Sequence, residues 1–294
     1  MKEELTQDAM KLPLLISVPH GGYSVPPDIV HRIALDFSDI FPDSDPCTRS
    51  IYSFRDEVCY YHDSNIARAI IDLNRAPDDL PPENPDGVVK NHTVMETPVY
   101  RQGHRPDSRL IQDLLERYYY PYHQQIAEDM TDPALVCGLD CHSMLEYPPG
   151  TDTGENERPF ICLSNCGDEN GSGEDLDISC PADLINLFAD CLRSEFPEEA
   201  DRIVLNNPFK GGHISQLHGK QIPWIQIELN RSAYLRRPWF DPESLQVNGK
   251  RLQYLRHKLF QAILSFCEEA GSMRYLPNQP SLQYHLRHFA PSLL

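Results

Sequence analysis

The chain of 294 residues contains no apolar stretch approaching the roughly 20 residues needed to cross a bilayer, so a membrane-spanning protein is not expected. It is also short of positive charge. With 26 Lys and Arg against 44 Asp and Glu, the net charge is −18, which excludes the broad basic face that nucleic acid or an anionic membrane surface requires. A small acidic ligand is not excluded, because a few basic side chains inside one pocket suffice whatever the overall balance. C-x-x-C pairs are missing as well. The nine cysteines are spread irregularly, and Cys137 with Cys141, and Cys162 with Cys166, are spaced too widely for a zinc ribbon. Free buried thiols are expected, with no disulfide framework. Met1 to Lys11 lacks a basic segment followed by an apolar one, which gives the expectation of a cytoplasmic location. There is no internal repeat and no low-complexity tract, and the pattern does not specify an oligomeric state.

What is present is ordinary globular usage, 40% hydrophobic and 24% charged, at a length suited to a single catalytic domain spanning residues 1–294. Leu12 to Val18 reads as a buried strand that delivers His20 to a glycine-rich loop. Three further apolar runs follow: Ile66 to Leu73, Ala134 to Leu139, and Ile222 to Leu229. Each ends in or contains polar residues of one motif. Helices are predicted over Ser108 to Met130 with Pro121 as a kink or break, over Pro181 to Phe196, and over Pro242 to Ala270. Thr48 to Val58 also looks helical. Alternation of this kind predicts an α/β sheet flanked by helices. Long loops are expected near 77–106 and 148–177, and 277–294 reads as a C-terminal extension.

The chemistry concentrates in P-H-G-G at Pro19 to Gly22, D-S-D at Asp43 to Asp45, D-L-N-R at Asp72 to Arg75, D-C-H-S at Asp140 to Ser143, and I-E-L-N-R at Ile227 to Arg231. A hydrolytic zinc ion needs three protein ligands, His and carboxylate among them, and an open position for water. His20 and His142 supply two, and the D-S-D run is the acidic candidate nearest the first. Each residue also has a plain structural role open to it. A His beside glycines can be a loop residue, Asp43 and Asp45 can cap the following helix, and Asp72, Asn74 and Asp140 can bond local backbone. Glu228 between Ile227 and Leu229 is either exposed on a strand or buried at a cost of several kcal/mol unless paired. A structural pairing with Arg231 is the plain alternative.

Taken in order, and with Lys210-Gly211-Gly212 added, these motifs resemble the N-formylglutamate amidohydrolases from about Leu14 to Tyr234. The resemblance implies a mixed, mainly parallel sheet of zinc-carboxypeptidase-like fold and one zinc ion held by His20, Asp45 and His142. Asp45 is preferred over Asp43 because it matches the single Asp that some relatives keep. It further implies that Glu228 activates the metal-bound water and that Asn74 and Arg75 grip a substrate carboxylate. Lys210, His123 and Arg231 fall with the substrate-binding set. The expected reaction is hydrolysis of a small acidic N-acyl amino acid, N-formyl-L-glutamate to formate and L-glutamate, as in histidine degradation. The alternatives are a zinc amidase or carboxypeptidase-like hydrolase for another N-acyl amino acid or short peptide, and a non-catalytic ligand-binding relative. The stretch with Pro81, Pro82, Pro85 and Asp86, and the acidic insertion from Gly150 to Asp177, depart from the family pattern and are expected to line or cover the pocket.

Overall fold

A computed structural model describes residues 11–150, 157–173 and 177–272. Its strands are β1 (Leu12–Val18), β2 (Val58–Asp63), β3 (Cys137–Met144), β4 (Ile161–Ser164), β5 (Ile203–Leu205) and β6 (Trp224–Asn230). They form one sheet in the order β2-β1-β3-β6-β4-β5. Every neighbouring pair runs parallel except β4 against β6, which is antiparallel. The mixed, mainly parallel sheet is therefore as expected. The helices are α1 (Phe37–Asp43), α2 (Thr48–Ile51), α3 (Ser108–Leu114), α4 (Tyr120–Asp129), α5 (Ala182–Glu195), α6 (His213–His218) and α7 (Gly249–Ser272).

The period of two along each strand divides the core between the faces of the sheet. Leu14, Ile16, Val18, Leu139, Cys141, Ile225, Ile227 and Leu229 pack on one face with Leu184, Phe188 and Leu192 of α5 and Leu259, Ile263 and Phe266 of α7. Each such aliphatic side chain contributes about 1.5–3 kcal/mol when removed from water. On the opposite face Leu15 and Trp224 join Leu114 of α3 and Tyr122 and Ile126 of α4. That second face carries Ser17, Asp140, His142, Gln226 and Glu228 toward the C-terminal ends of the central strands, where ligands of α/β sheets collect.

Several local expectations are corrected. The segment expected to be helical over Ser108 to Met130 runs as α3, a π-helical stretch over Leu115–Tyr119, and α4 with Pro121 in its first turn. A proline has no N–H to donate and crowds the preceding turn, and the wider π turn accommodates it. Thr48 to Val58 is helical only to Ile51, because Val58-Cys59-Tyr60-Tyr61 is rich in strand formers and runs on the edge strand β2, with Val58 buried and the next three half exposed. Ile66 to Leu73 is no strand. It makes isolated bridges, Ile66 to Ser24 and Ala67 to Gly22, and its apolar side chains are buried against the second face. A Cβ at Gly22 would lie 2.2 Å from the Asn65 carbonyl carbon, so glycine is needed for that approach. Within 148–177 the run Ile161 to Ser164 forms β4, hidden from a compositional reading by its acidic surroundings. The last helix starts only at Gly249, after a ribbon of Phe240–Asp241 with Gln246–Val247. The expected extension 277–294 lies outside the described residues, as does part of the acidic insertion. Among the described residues no helix is long and apolar enough to cross a membrane.

Candidate metal centre and active site

Parallel strands β1 and β3 end side by side, and the chain turns immediately after β1 to place His20 beside His142, whose ring centroids are 4.8 Å apart. Asp45 enters from the bend between α1 and α2, tied to the first His by its own N–H, which donates to the His20 carbonyl at 2.9 Å. One Asp45 carboxylate oxygen lies 3.0 Å from His142 Nδ1 and 3.7 Å from His20 Nδ1. Among the described residues, His20, Asp45 and His142 are the group whose ligand atoms, all within 4.8 Å of one another, suit a metal ion. Asp43 is elsewhere: it accepts from the Val94 N–H, and its other oxygen is buried without a partner. Neither Asp caps a helix by side chain; that role for α1 falls to Asp36.

The far nitrogens of both imidazoles are engaged by carboxylates. His20 Nε2 is 2.7 Å from Asp72, and His142 Nε2 is 2.9 Å from Asp140. This is the outer-shell pattern that fixes a metal-ligating His in one tautomer and orientation with Nδ1 turned to the ion. The donor set, two imidazole nitrogens and one carboxylate with their outer carboxylates in place, fits a divalent transition metal. Burial alone would raise the Asp45 carboxyl, but hydrogen bonds from His142 and His20 hold it well below the usual carboxylate range. Burial would lower His142, yet Asp140 first and Asp45 next keep it well above the usual imidazole range. The Asp72 carboxyl is likewise raised by burial and then held far down by His20, Arg68 and Lys90. Lys90, fully buried, lies 3.2 Å from Asp72 and also contacts Asp86, while Arg68 Nε donates to Asp72 at 2.9 Å.

Replacing Asp140 with Asn should keep the shape and weaken the hold on His142. Metal affinity is expected to fall about 10- to 100-fold. Competition with a chromophoric chelator would check this, and an unchanged affinity would show that the Asp140 contact is incidental.

Glu228 stands in register with His142 across the β3–β6 pair. It is 8% exposed and accepts from Gln226 Nε2 at 2.9 Å. Burial pushes its carboxyl up to about 7, with His142 pulling it down and Asp45 adding to the rise. The structural partner considered for it, Arg231, is engaged elsewhere. Arg231 donates to Asp45, to Ser143 Oγ, and to the carbonyls of Pro42, Ser44 and Ser143. It borders the cleft, and these contacts make it a brace for Asp45.

These groups line a cleft of about 380 Å³ together with Arg68, Asn74, Arg75, Asp86, Arg158 and Lys210. Its size suits a small ligand. Asn74 donates to Asp140 at 3.0 Å and lies 3.0 Å from His142 Nε2, while its side-chain oxygen accepts from the Ile214 N–H. A Cβ at Gly212 would sit 2.3 Å from that amide, so the second glycine of Lys210-Gly211-Gly212 makes room for Asn74. Arg75 is half-buried and pairs with Asp86 at 2.8 Å. Lys210 reaches the same cleft, exposed. His123 does not line it. Its Nε2 donates to the Leu73 carbonyl at 3.0 Å and its Nδ1 faces His218, so it supports the backbone just before Asn74 and makes no wall of the cleft. Burial is the largest cause lowering its basicity, to about 3, followed by His218, which keeps the ring neutral.

Asp72 and Asp140 join the site although the motifs point first to their neighbours: each stands two residues before a site residue, and strand alternation alone puts Asp140 on the face of His142. Gln226 was reachable by the same rule from Glu228. Arg68, Lys90 and Arg158 come from irregular segments, where no period gives a direction.

Residues 12–235 match the family model described as N-formylglutamate amidohydrolase. The chain is 28% identical over 278 residues to the N-formylglutamate deformylase of Pseudomonas putida, covering 90% of this chain and 96% of that protein. It is 28% identical over 245 residues to the enzyme of that name from Pseudomonas aeruginosa, covering 80% and 86%. The solved structure of N-formylglutamate amidohydrolase from Ralstonia eutropha JMP134 shares the fold with a TM-score of 0.70 at 20% identity, over 90% of this chain and 95% of that one.

Proposed function

The chain belongs to the N-formylglutamate amidohydrolase family and is a hydrolase acting on amide bonds, and from that premise we propose that it cleaves N-formyl-L-glutamate to formate and L-glutamate with one zinc ion at His20, Asp45 and His142. The observation that carries the reading is the union, in one cleft, of a His, Asp, His donor set with a buried Glu228 and an excess of cationic side chains along the wall. When bound, zinc supplies Lewis acidity to the carbonyl and lowers the pKa of a coordinated water from about 15.7 to about 7.

The protein's own groups then have separate roles. Glu228 takes the proton of the attacking water and returns it to the leaving amine. A carboxyl raised by burial is suited to both steps, since general acid–base work favours a pKa near the working pH. Gln226 fixes the Glu228 carboxylate by its hydrogen bond. Asp72 and Asp140 orient the two imidazoles, and Arg231 orients Asp45. Arg75 presents a planar fork to the carboxylate next to the scissile amide, with Asp86 holding one edge of the guanidinium in place. Asn74, whose amide donates to Asp140 and accepts from the Ile214 N–H, positions the carboxylate that holds the ligand His. The presence of every ligand and of Glu228 favours an enzyme over a ligand-binding relative.

Release of formate from N-formyl-L-glutamate, compared with acetate from N-acetyl-L-glutamate and with N-formyl amino acids of neutral side chain, tests the proposed substrate. The formyl dicarboxylate should lead, and preference for another acyl group or a peptide would replace it. Changing Arg75 to Lys should lower kcat/KM by about 10- to 100-fold, because a point charge cannot reproduce a bidentate contact. Amidation of the substrate's α-carboxylate should cost the unmodified enzyme as much. Equal turnover of free and amidated acids would make Arg75 a purely structural partner of Asp86.

A further inference from the structure

The cations of the cleft are not equivalent. Arg68 is paired with Asp72, Arg75 with Asp86, and Arg231 with Asp45. Arg158 differs: it reaches the cleft half-buried and has no carboxylate within 4.0 Å among the described residues. Its guanidinium lies over the ring of Phe209 at 5.0 Å, and one Nη donates to the Leu145 carbonyl over a long 3.4 Å. Its Nε is buried and has no hydrogen-bond partner.

Burial, which is the largest cause, pulls the Arg158 pKa down, with Glu228 acting in the other direction. The backbone around it is firmly placed. The Arg158 N–H donates to the Glu146 carbonyl, and its own carbonyl accepts from Asn230 and Arg202. A guanidinium stacked on an aromatic face keeps its N–H groups free in the plane of the fork. A guanidinium that lines a cleft without a carboxylate of its own is matched best by a carboxylate or phosphate of the ligand.

We propose that Arg158 is a specificity-determining residue that receives the side-chain carboxylate of a dicarboxylate substrate, with Phe209 as its backing and Lys210 adding positive charge at the mouth. The proposal rests on the N-formylglutamate reading and assigns the substrate's second charge to a residue of its own. It makes the enzyme selective for a dianion, since a neutral side chain would leave the Arg158 charge without a counter-ion.

The test is a comparison within each protein, so that altered folding cancels. The zinc-loaded wild type and Arg158→Met are assayed for formate release from N-formyl-L-glutamate and from N-formyl-L-glutamine, which keeps the α-carboxylate and loses the other charge. The wild type should prefer the glutamate compound, and Arg158→Met should lose about 10- to 100-fold in kcat/KM on it. Activity on the glutamine compound should change little, so that the preference collapses, and Arg158→Lys should restore part of it. An equal loss on both compounds would mean that Arg158 acts on the common amide or α-carboxylate and would overturn the proposal. So would an unchanged preference. Failure of the deformylase reading has a separate signature, no formate from either compound. The proposal is then decided by calorimetric titration with glutarate and butyrate. Selective weakening of glutarate in Arg158→Met supports a dianion site, and equal weakening or none refutes it.

Discussion

Replacing Glu228 with Gln should lower kcat by roughly two to four orders of magnitude while metal content and substrate affinity stay close to those of the unmodified protein. The contribution of a general base is made in the transition state, so its loss is not expected in ground-state binding. The substitution is nearly isosteric and keeps a hydrogen-bonding side chain opposite Gln226, in a position only 8% exposed. A Glu held for structure alone would give the reverse: a lower thermal midpoint with little change in rate per folded molecule. The packing makes these outcomes separable. Glu228 has no ion pair with Arg231, whose donors are taken up by Asp45, Ser143 and backbone carbonyls, so removing the Glu228 charge breaks no salt bridge with that residue. Single-turnover rate, zinc content and thermal midpoint on one preparation decide the matter, and a near-normal rate would remove Glu228 from the chemistry.

Changing His142 to Ala should abolish both stoichiometric metal and turnover. Two ligands remain, His20 and Asp45, and Asp140 loses the imidazole that it holds in place. The fold should persist, because the second face of the sheet near the strand ends opens on the cleft while the apolar packing of Ile225, Ile227 and Leu229 lies on the other face. Elemental analysis with a thermal melt checks both halves. Full metal occupancy in this variant would show that the ion sits elsewhere.

Much of this site was legible because strand periodicity and motif order carry direction. Leu12 to Val18 became β1, and the run from Ala134 and that from Ile222 became β3 and β6, which set His142 and Glu228 in register. Alternation along these strands also determines which side chains share the cleft, and applied further it would have placed Asp140 and Gln226. The run Ile66 to Leu73 shows the limit of that reasoning. Its hydrophobicity reported burial, but a buried irregular segment braced by bridges to Gly22 and Ser24 has the same composition as a strand.

Arg231 and His123 show a different limit. A polar residue in a family motif can serve the ligand or can serve the residue that does, and only the contacts of its donors distinguish the two. Arg231 borders the cleft and braces Asp45, and His123 braces the Leu73 carbonyl. Lys90 and Arg68 approach Asp72 from the long connection and the irregular segment beside it, where no repeat gives a side chain a direction. Arg158 lies within the acidic insertion, and what singles it out, the lack of a carboxylate partner among the described residues, is something sequence cannot display.

The central claim is that hydrolysis of N-formyl-L-glutamate depends on a metal at His20, Asp45 and His142. It is tested most directly by stripping the protein with a chelator and titrating zinc back while formate release and bound zinc are measured together. Activity should be absent after stripping, rise in proportion to bound zinc, and reach its plateau at about one ion per chain, as expected of a single three-ligand catalytic site. Undiminished formate release from protein shown to be free of metal, or a plateau that the His142→Ala protein reaches equally well, would contradict it.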